Sequence, residues 1–130
     1  MTALRLGSGG PYEAVVGYSR VVVVGDTAWV SGTTATVDGA VVHAGDTAGQ
    51  TRVALQGVVR ALTEAGFVPG DVVRTRVYVT DISRWEEVGR VHGEFFGDVR
   101  PATSMVQVAA LIDPAMLVEV EADAVRGAGS

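Results

Sequence analysis

Three side chains in this sequence stand where they could do chemistry, each beside a run of alternating apolar residues. Glu119 lies in "VEVEADAV", Val118 to Val125, where acids and apolar residues take turns. A carboxylate on a sheet face could hold a water or accept its proton. Equally, Glu119, Glu121 and Asp123 could form a solvated face. Tyr18, just ahead of "RVVVV", offers either a site hydroxyl or a hydrophobic anchor with its tip in water. Arg100 precedes Pro101, with Thr103 and Ser104 close behind. A guanidinium fork matches a carboxylate well, although a loop arginine is more often a plain surface charge.

Other chemistries are poorly supplied. There is no cysteine, which excludes disulfides, thiol catalysis and cysteine-ligated zinc. The two histidines, His43 and His92, are too few for most metal sites. His43 reads as a loop residue after a strand and His92 as a half-buried helix shoulder. A triad of Ser31, His92 and an acid finds no support in the spacing. No nucleophile elbow, Walker loop, H-E-x-x-H or dinucleotide fingerprint is present. Ten basic residues against fifteen acidic ones give a net charge of −5, without the basic patch that phosphate neutralisation requires, so nucleic acid is not an expected partner. The start, "MTALRLGSGG", lacks the pattern of a signal peptide, and no apolar run approaches a membrane span. The expectation is a cytoplasmic protein without a membrane partner.

The elements that must carry these residues follow from periodicity. At 130 residues the chain is expected to be one domain, 1–130, able to bury a core unaided. "RVVVVGDTAWVSG" predicts two strands around a tight turn at Gly25-Asp26, and "ATVDGAVVHAG" repeats the pattern at Asp38-Gly39. From Asp46 to Ala65, Leu55, Val58, Val59 and Leu62 recur at helical spacing, with Asp46 or Thr47 as N-cap and Gly66 as the stop. "DVVRTRVYVTD" returns to period two, with Val73, Thr75, Val77 and Val79 on one face and Arg74, Arg76, Tyr78 and Thr80 on the other. Ser83 and Glu86 read as a capping box opening a second helix, whose stripe is Trp85, Val88, Val91 (or His92) and Phe95, closing at Gly97. Strands at about Thr103 to Leu111 and Met116 to Val125 complete the chain, while the first ten residues and the final "GAGS" look like loose ends.

The order predicts an α+β fold, a mixed sheet of about six strands with two helices on one face. In the last strand, Val118, Val120, Ala122 and Ala124 should face those helices. The opposite face gathers Glu119, Glu121, Asp123, Arg74 and Arg76, too polar for a second core. An open sheet also leaves edges to be covered, and identical subunits cover them economically. A homo-oligomer with its polar sheet faces turned inward is therefore expected.

Taken in order, several segments resemble the YjgF/RidA family, the reactive-intermediate (enamine/imine) deaminases. They are "GYS" (Gly17–Ser19), "WVSG" (Trp29–Gly32), "QTRVALQGVVRALTEAG" (Gln50–Gly66), "DVVRTRVYVTD" (Asp71–Asp81), "EFF" (Glu94–Phe96), "RPATSMVQVAAL" (Arg100–Leu111) and "VEVEADAV". The resemblance covers about Gly17 to Arg126. It implies a chorismate-mutase-like fold and a homotrimer with a central barrel of sheets, outer helices and three intersubunit clefts. It also implies hydrolysis of small enamines and imines, such as 2-aminoacrylate, to a 2-keto acid and ammonia, with no metal or organic cofactor.

Carried over residue by residue, the resemblance gives catalytic roles to Glu119, as holder of the attacking water, and to Tyr18, thirteen residues before Ser31. The substrate-binding residues it implies are Ser31, Gly32, Thr103, Ser104 and Met105, with Arg100 as a possible stand-in cation. One departure is chemically serious. The family's P-A-R-S motif is Pro101-Ala102-Thr103-Ser104, so Thr103 stands where the carboxylate-gripping arginine belongs. Gly89, Thr33 and Met105 replace a family asparagine, glutamine and cysteine. A charge-assisted hydrogen bond to a carboxylate contributes roughly 1.5–3 kcal/mol, which one neutral threonine hydroxyl does not replace. The expectation is a deaminase of altered or lost activity. The alternatives are another cofactor-free small-molecule enzyme, guiding a cyclisation, tautomerisation or hydrolysis, and a non-catalytic ligand-binding trimer. The ribonuclease activity described for some family members fits an acidic chain least.

Overall fold

The turn residues place the first hairpins. In the computed structural model, which describes residues 2–129, strands β2 (Val21–Val24) and β3 (Thr27–Thr33) pair antiparallel around Gly25-Asp26. The short strands β4 (Thr36–Val37) and β5 (Ala40–Val41) pair around Asp38-Gly39. Asp38 and Gly39 both take positive φ, 50° and 80°, the backbone a two-residue turn of this hand demands.

Helix α2 (Thr47–Glu64) starts where Asp46 Oδ1 accepts from the Gly49 amide at 2.9 Å and stops before Gly66 at φ 87°. Its apolar side, with Ala54, Leu55, Val58 and Leu62 fully buried, packs on β3 and on β8 (Val118–Val125). β6 (Val72–Val79), α3 (Trp85–Phe96) and β7 (Ala102–Gln107) form a parallel strand–helix–strand unit, and α3 packs on α2. With edge strand β1 (Leu4–Leu6), the main sheet runs β1-β2-β3-β8-β6-β7, with β6–β7 its parallel pair and every other pair antiparallel. This is the expected α+β architecture, six strands with α2 and α3 on one face. Val118, Val120, Ala122 and Ala124 are wholly buried under the helices, and Glu119, Glu121 and Asp123 lie on the other side.

Several details depart from the expectations. The N-terminal segment is tied down: Leu4–Leu6 forms edge strand β1 against β2, and Glu13–Val16 forms a short helix, α1. The C-terminal glycines are held too, since the Gly127 amide donates to the buried Asp71 carboxylate at 3.1 Å. Arg126 stacks 4.2 Å over the Phe67 ring and pairs with Asp26. Met1 and Ser130, the outermost of the expected loose ends, lie outside the described residues.

No Ser83–Glu86 capping box forms. Asp81 takes both the Ser83 amide and the Ser83 hydroxyl, which makes Ile82–Arg84 a single 3₁₀ turn ahead of α3, and Glu86 pairs with Arg90. Trp85 is 56% exposed, and the buried residues of α3 are Val88, Val91 and Phe96. In β6, Val72 rather than Val73 is buried. An extra residue between Val72 and Arg74 bulges the strand and turns Val73 out.

Candidate functional site

A second bulge shapes the polar face. Val30 pairs with Ala122 and Thr33 with Val120, so β3 carries one more residue than β8 across Ser31-Gly32. There the Glu119 side chain crosses the strand. A Cβ on Gly32 would stand 2.7 Å from the Glu119 Cδ and 2.9 Å from Oε2, so glycine here is a condition of the carboxylate's position.

Arg20, which the sequence reading passed over, ties this bulge together. One of its terminal nitrogens donates to Gly32 O at 2.7 Å, Thr33 Oγ1 at 2.8 Å and Ser31 O at 3.2 Å, and the other to the Tyr18 hydroxyl at 3.3 Å. Its guanidinium also sits 5.5 Å from the Tyr18 ring centroid. The side chain is only 14% exposed and pairs with the Glu13 carboxylate at 3.9 Å. An arginine leading directly into a run of four valines was the available signal, since a cation bordering a buried strand needs partners. Glu13 is in turn wrapped by the glycine-rich segment 7–10, accepting from the Ser8 amide and hydroxyl and from the Gly10 amide. Burial by itself would raise the Glu13 pKa. These hydrogen bonds and the Arg20 charge outweigh it and hold the carboxyl below its ordinary range.

The result is a cleft of about 1130 Å³ between segment 7–12, the β3 bulge and α2. Tyr18, Arg20, Ser31, Gly32 and Glu119 line it together. No described residue donates a hydrogen bond to the Glu119 carboxylate. Burial raises its pKa, the Glu121 charge adds to that, and Arg20 opposes it. A carboxylate that holds its proton more tightly than usual, and faces a cleft, is equipped to take a proton from water and return it.

Ser31 serves the scaffold. Its hydroxyl donates to Ser19 O at 2.6 Å, whereas His92 bonds Thr75 on the helix side of the sheet, so the two form no triad. Among the described residues, no three His, Asp or Glu side chains converge as a metal site requires.

The remaining expected site residues lie elsewhere in the chain. Thr103, Ser104 and Met105 are on β7, two strands beyond β8 at the sheet edge. Thr103 pairs in register with Thr75 and Met105 with Val77, both helix-side positions, while Ser104 pairs with Arg76 on the polar face. Arg100, in a left-handed conformation at φ 54°, donates from Nε to Gly97 O at 3.4 Å, at the C-terminus of α3. There the cation complements the helix dipole. One subunit therefore brings Tyr18, Ser31, Gly32 and Glu119 together and keeps Arg100, Thr103, Ser104 and Met105 apart from them.

Comparison with known proteins places this geometry. The family model described as Endoribonuclease L-PSP matches residues 11–126. An uncharacterised protein of Streptomyces coelicolor is 41% identical over 124 residues, covering 95% of this chain and 92% of its own. A 3-aminoacrylate deaminase of Acinetobacter baylyi is 36% identical over 80 residues, 62% of this chain and 63% of its own. A crystal structure from Mycobacterium tuberculosis, of a member of the YjgF/YER057c/UK114 family, superposes with a TM-score of 0.87 at 52% identity, covering 95% of this chain and 99% of that one. With a family model spanning nearly its whole length and such a relative aligned along most of it, the chain belongs to the YjgF/RidA, or Endoribonuclease L-PSP, family.

Proposed function

We propose that the protein is a homotrimer acting on a small reactive metabolite in clefts between subunits, by enamine or imine hydrolysis of altered specificity. The observation that carries the reading is Glu119: a carboxylate of raised proton affinity, laid over Gly32 and open to the cleft that Tyr18 borders. In the proposed reaction Glu119 holds a water and takes one of its protons as the oxygen attacks the imine carbon. The adduct's nitrogen then takes that proton back from Glu119 and the proton of the adduct's own hydroxyl as the C–N bond breaks, which releases ammonia and leaves a carbonyl compound. Tyr18, fixed by Arg20, offers its hydroxyl at the cleft wall. The deaminase relative in Acinetobacter baylyi supports the reaction class.

The trimer matters because it would set the β7 residues Thr103, Ser104 and Met105, with Arg100 behind them, across from a neighbour's Glu119. Thr103 in place of a cation favours substrates that lack a carboxylate or present it differently. The test generates 2-aminoacrylate with a serine dehydratase and follows pyruvate release with the protein present and absent, then repeats it with imines from larger amino acids. Acceleration is expected for some of these imines, and Glu119→Gln should remove roughly 10²–10⁴-fold of it, the usual contribution of a general acid–base group. No acceleration over buffer with any imine would overturn the deaminase reading and leave a different cofactor-free reaction or a ligand-binding trimer.

A further inference from the structure

The way the Arg20 charge is balanced has no part in the mechanism above. The carboxylate paired with it is Glu13, at 3.9 Å, a separation that serves charge and not a hydrogen bond. Among the described residues, the guanidinium's hydrogen bonds all go to neutral acceptors: Ser31 O, Gly32 O, Thr33 Oγ1 and the Tyr18 hydroxyl. The Glu13 oxygens are occupied elsewhere. Oε1 accepts from the Ser8 amide at 3.0 Å, and Oε2 from the Ser8 hydroxyl at 2.5 Å and the Gly10 amide at 3.1 Å. An arginine and a carboxylate in contact frequently form a forked pair of short bonds. Here segment 7–10 holds the carboxylate back from that geometry.

We propose that Glu13 is a positioning residue for the cleft: as a counter-charge held at a distance, it keeps the Arg20 guanidinium on Tyr18 and the β3 bulge and off the Glu119 carboxylate. The competition is set by geometry. Gly32, whose carbonyl accepts from Arg20 at 2.7 Å, is also the residue over which Glu119 lies, so guanidinium and carboxylate share one corner of the cleft. A largely buried cation without a counter-charge gains most by turning to the carboxylate beside it. Glu13 meets that demand. Arg20 then keeps its neutral acceptors in place, and Glu119 is left to hold water. Bonded to Arg20 instead, Glu119 would be a fixed anion, a weaker base toward water and a poor carrier of the returning proton.

The other charged groups around Glu119 leave this role to the Glu13–Arg20 pair. Arg76 on β6 pairs with Glu121 and Asp123, and Tyr78, opposite Glu119 in register, donates to Glu121 at 2.9 Å. Across the cleft, α2 presents Arg60 and Glu64, and the β4–β5 turn presents Asp38. Burial, then the Glu121 charge, raises the Glu119 proton affinity, and Arg20 is the cation that opposes them. The placement of Arg20 therefore decides how far that affinity is raised. Glu13, held below the ordinary glutamate range by its hydrogen bonds and by Arg20, stays charged throughout the range in which Glu119 titrates.

The inference rests on the reading of Glu119 as the acid–base group, and the experiment keeps the two separable. The full chain is labelled at its glutamate carboxyl carbons and followed by NMR through a pH titration, with Glu119 assigned from the spectrum of Glu119→Gln. Glu13→Gln is expected to lower the Glu119 pKa by about one unit, a tenfold change in its ionisation constant, as Arg20 turns toward it. Glu13→Asp keeps the charge and should hold the titration close to that of the unaltered protein. Arg20→Gln should raise the Glu119 pKa, and in that background Glu13→Gln should no longer lower it. A purely structural Glu13 would lower the melting temperature of Glu13→Gln and leave the Glu119 titration unmoved, and that result overturns the proposal. Should Glu13→Gln fail to fold, Arg20→Gln decides: without a rise there, Arg20 exerts no pull for Glu13 to restrain. The titration needs no substrate. A moved titration in a protein that hydrolyses no imine rejects only the reaction, and hydrolysis with an unmoved titration rejects only the role of Glu13.

Discussion

At the scale of single residues, the site depends on groups placed against their own preference. Glu119 is disfavoured as an anion where it sits, and the fold's stability should show it. Its proton is bound more tightly in the folded than in the unfolded state, so stability falls as pH rises from the ordinary glutamate range through the folded value. Glutamine carries no charge at any pH. Glu119→Gln is therefore expected to unfold at a higher temperature than the unaltered protein at neutral pH, with the difference closing as pH falls toward the ordinary glutamate range. Thermal melts across that range check it, and equal melting temperatures throughout would contradict the burial argument. The family resemblance pointed to Glu119 and Tyr18, which the fold brings to one cleft, although alternation alone could not separate Glu119 from its solvated neighbours. Arg20 was not visible as a site residue. Its role comes from four acceptors on Tyr18 and residues 31–33, which converge only once β3 bulges.

At the scale of elements, the periodic helices and strands were legible and the irregular joints were not. In "DVVRTRVYV" two adjacent valines are equally apolar, so nothing local says which is the inserted one. The S-x-x-E pattern lost to an aspartate two residues earlier that captured the same serine. A related joint, not foreseen, holds β8 in place. Gln50, wholly buried on α2, donates to Ala115 O at 2.9 Å and accepts from the Leu117 amide at 2.8 Å, just before Val118. Gln50→Ala takes the side-chain partner from both backbone groups and is expected to cost about 0.5–1.5 kcal/mol for each hydrogen bond lost. Denaturant unfolding should show a lower midpoint with an unchanged slope. A loss of a few tenths of that size would mean that water replaces the amide.

At the scale of the whole molecule, the sheet has one well-finished end and one open one. β1 is short, three residues, and closes the side near the cleft, whereas β7 has its outer row of backbone groups unpaired among the described residues and nearly every residue exposed. A lone subunit would thus carry a six-residue template for pairing with any passing strand. Mass action supplies the consequence. If neighbouring subunits cover β7, the folded state is favoured by concentration itself, and the thermal midpoint should climb with each dilution step reversed. A midpoint independent of concentration, together with a monomer by sedimentation, would contradict this. Under the same logic the protein's lifetime in a dilute state is set by a race between assembly at that edge and misdirected pairing there. Changes at Ser104 or Val106, remote from Glu119, would then shift yield and shelf life before they touched turnover.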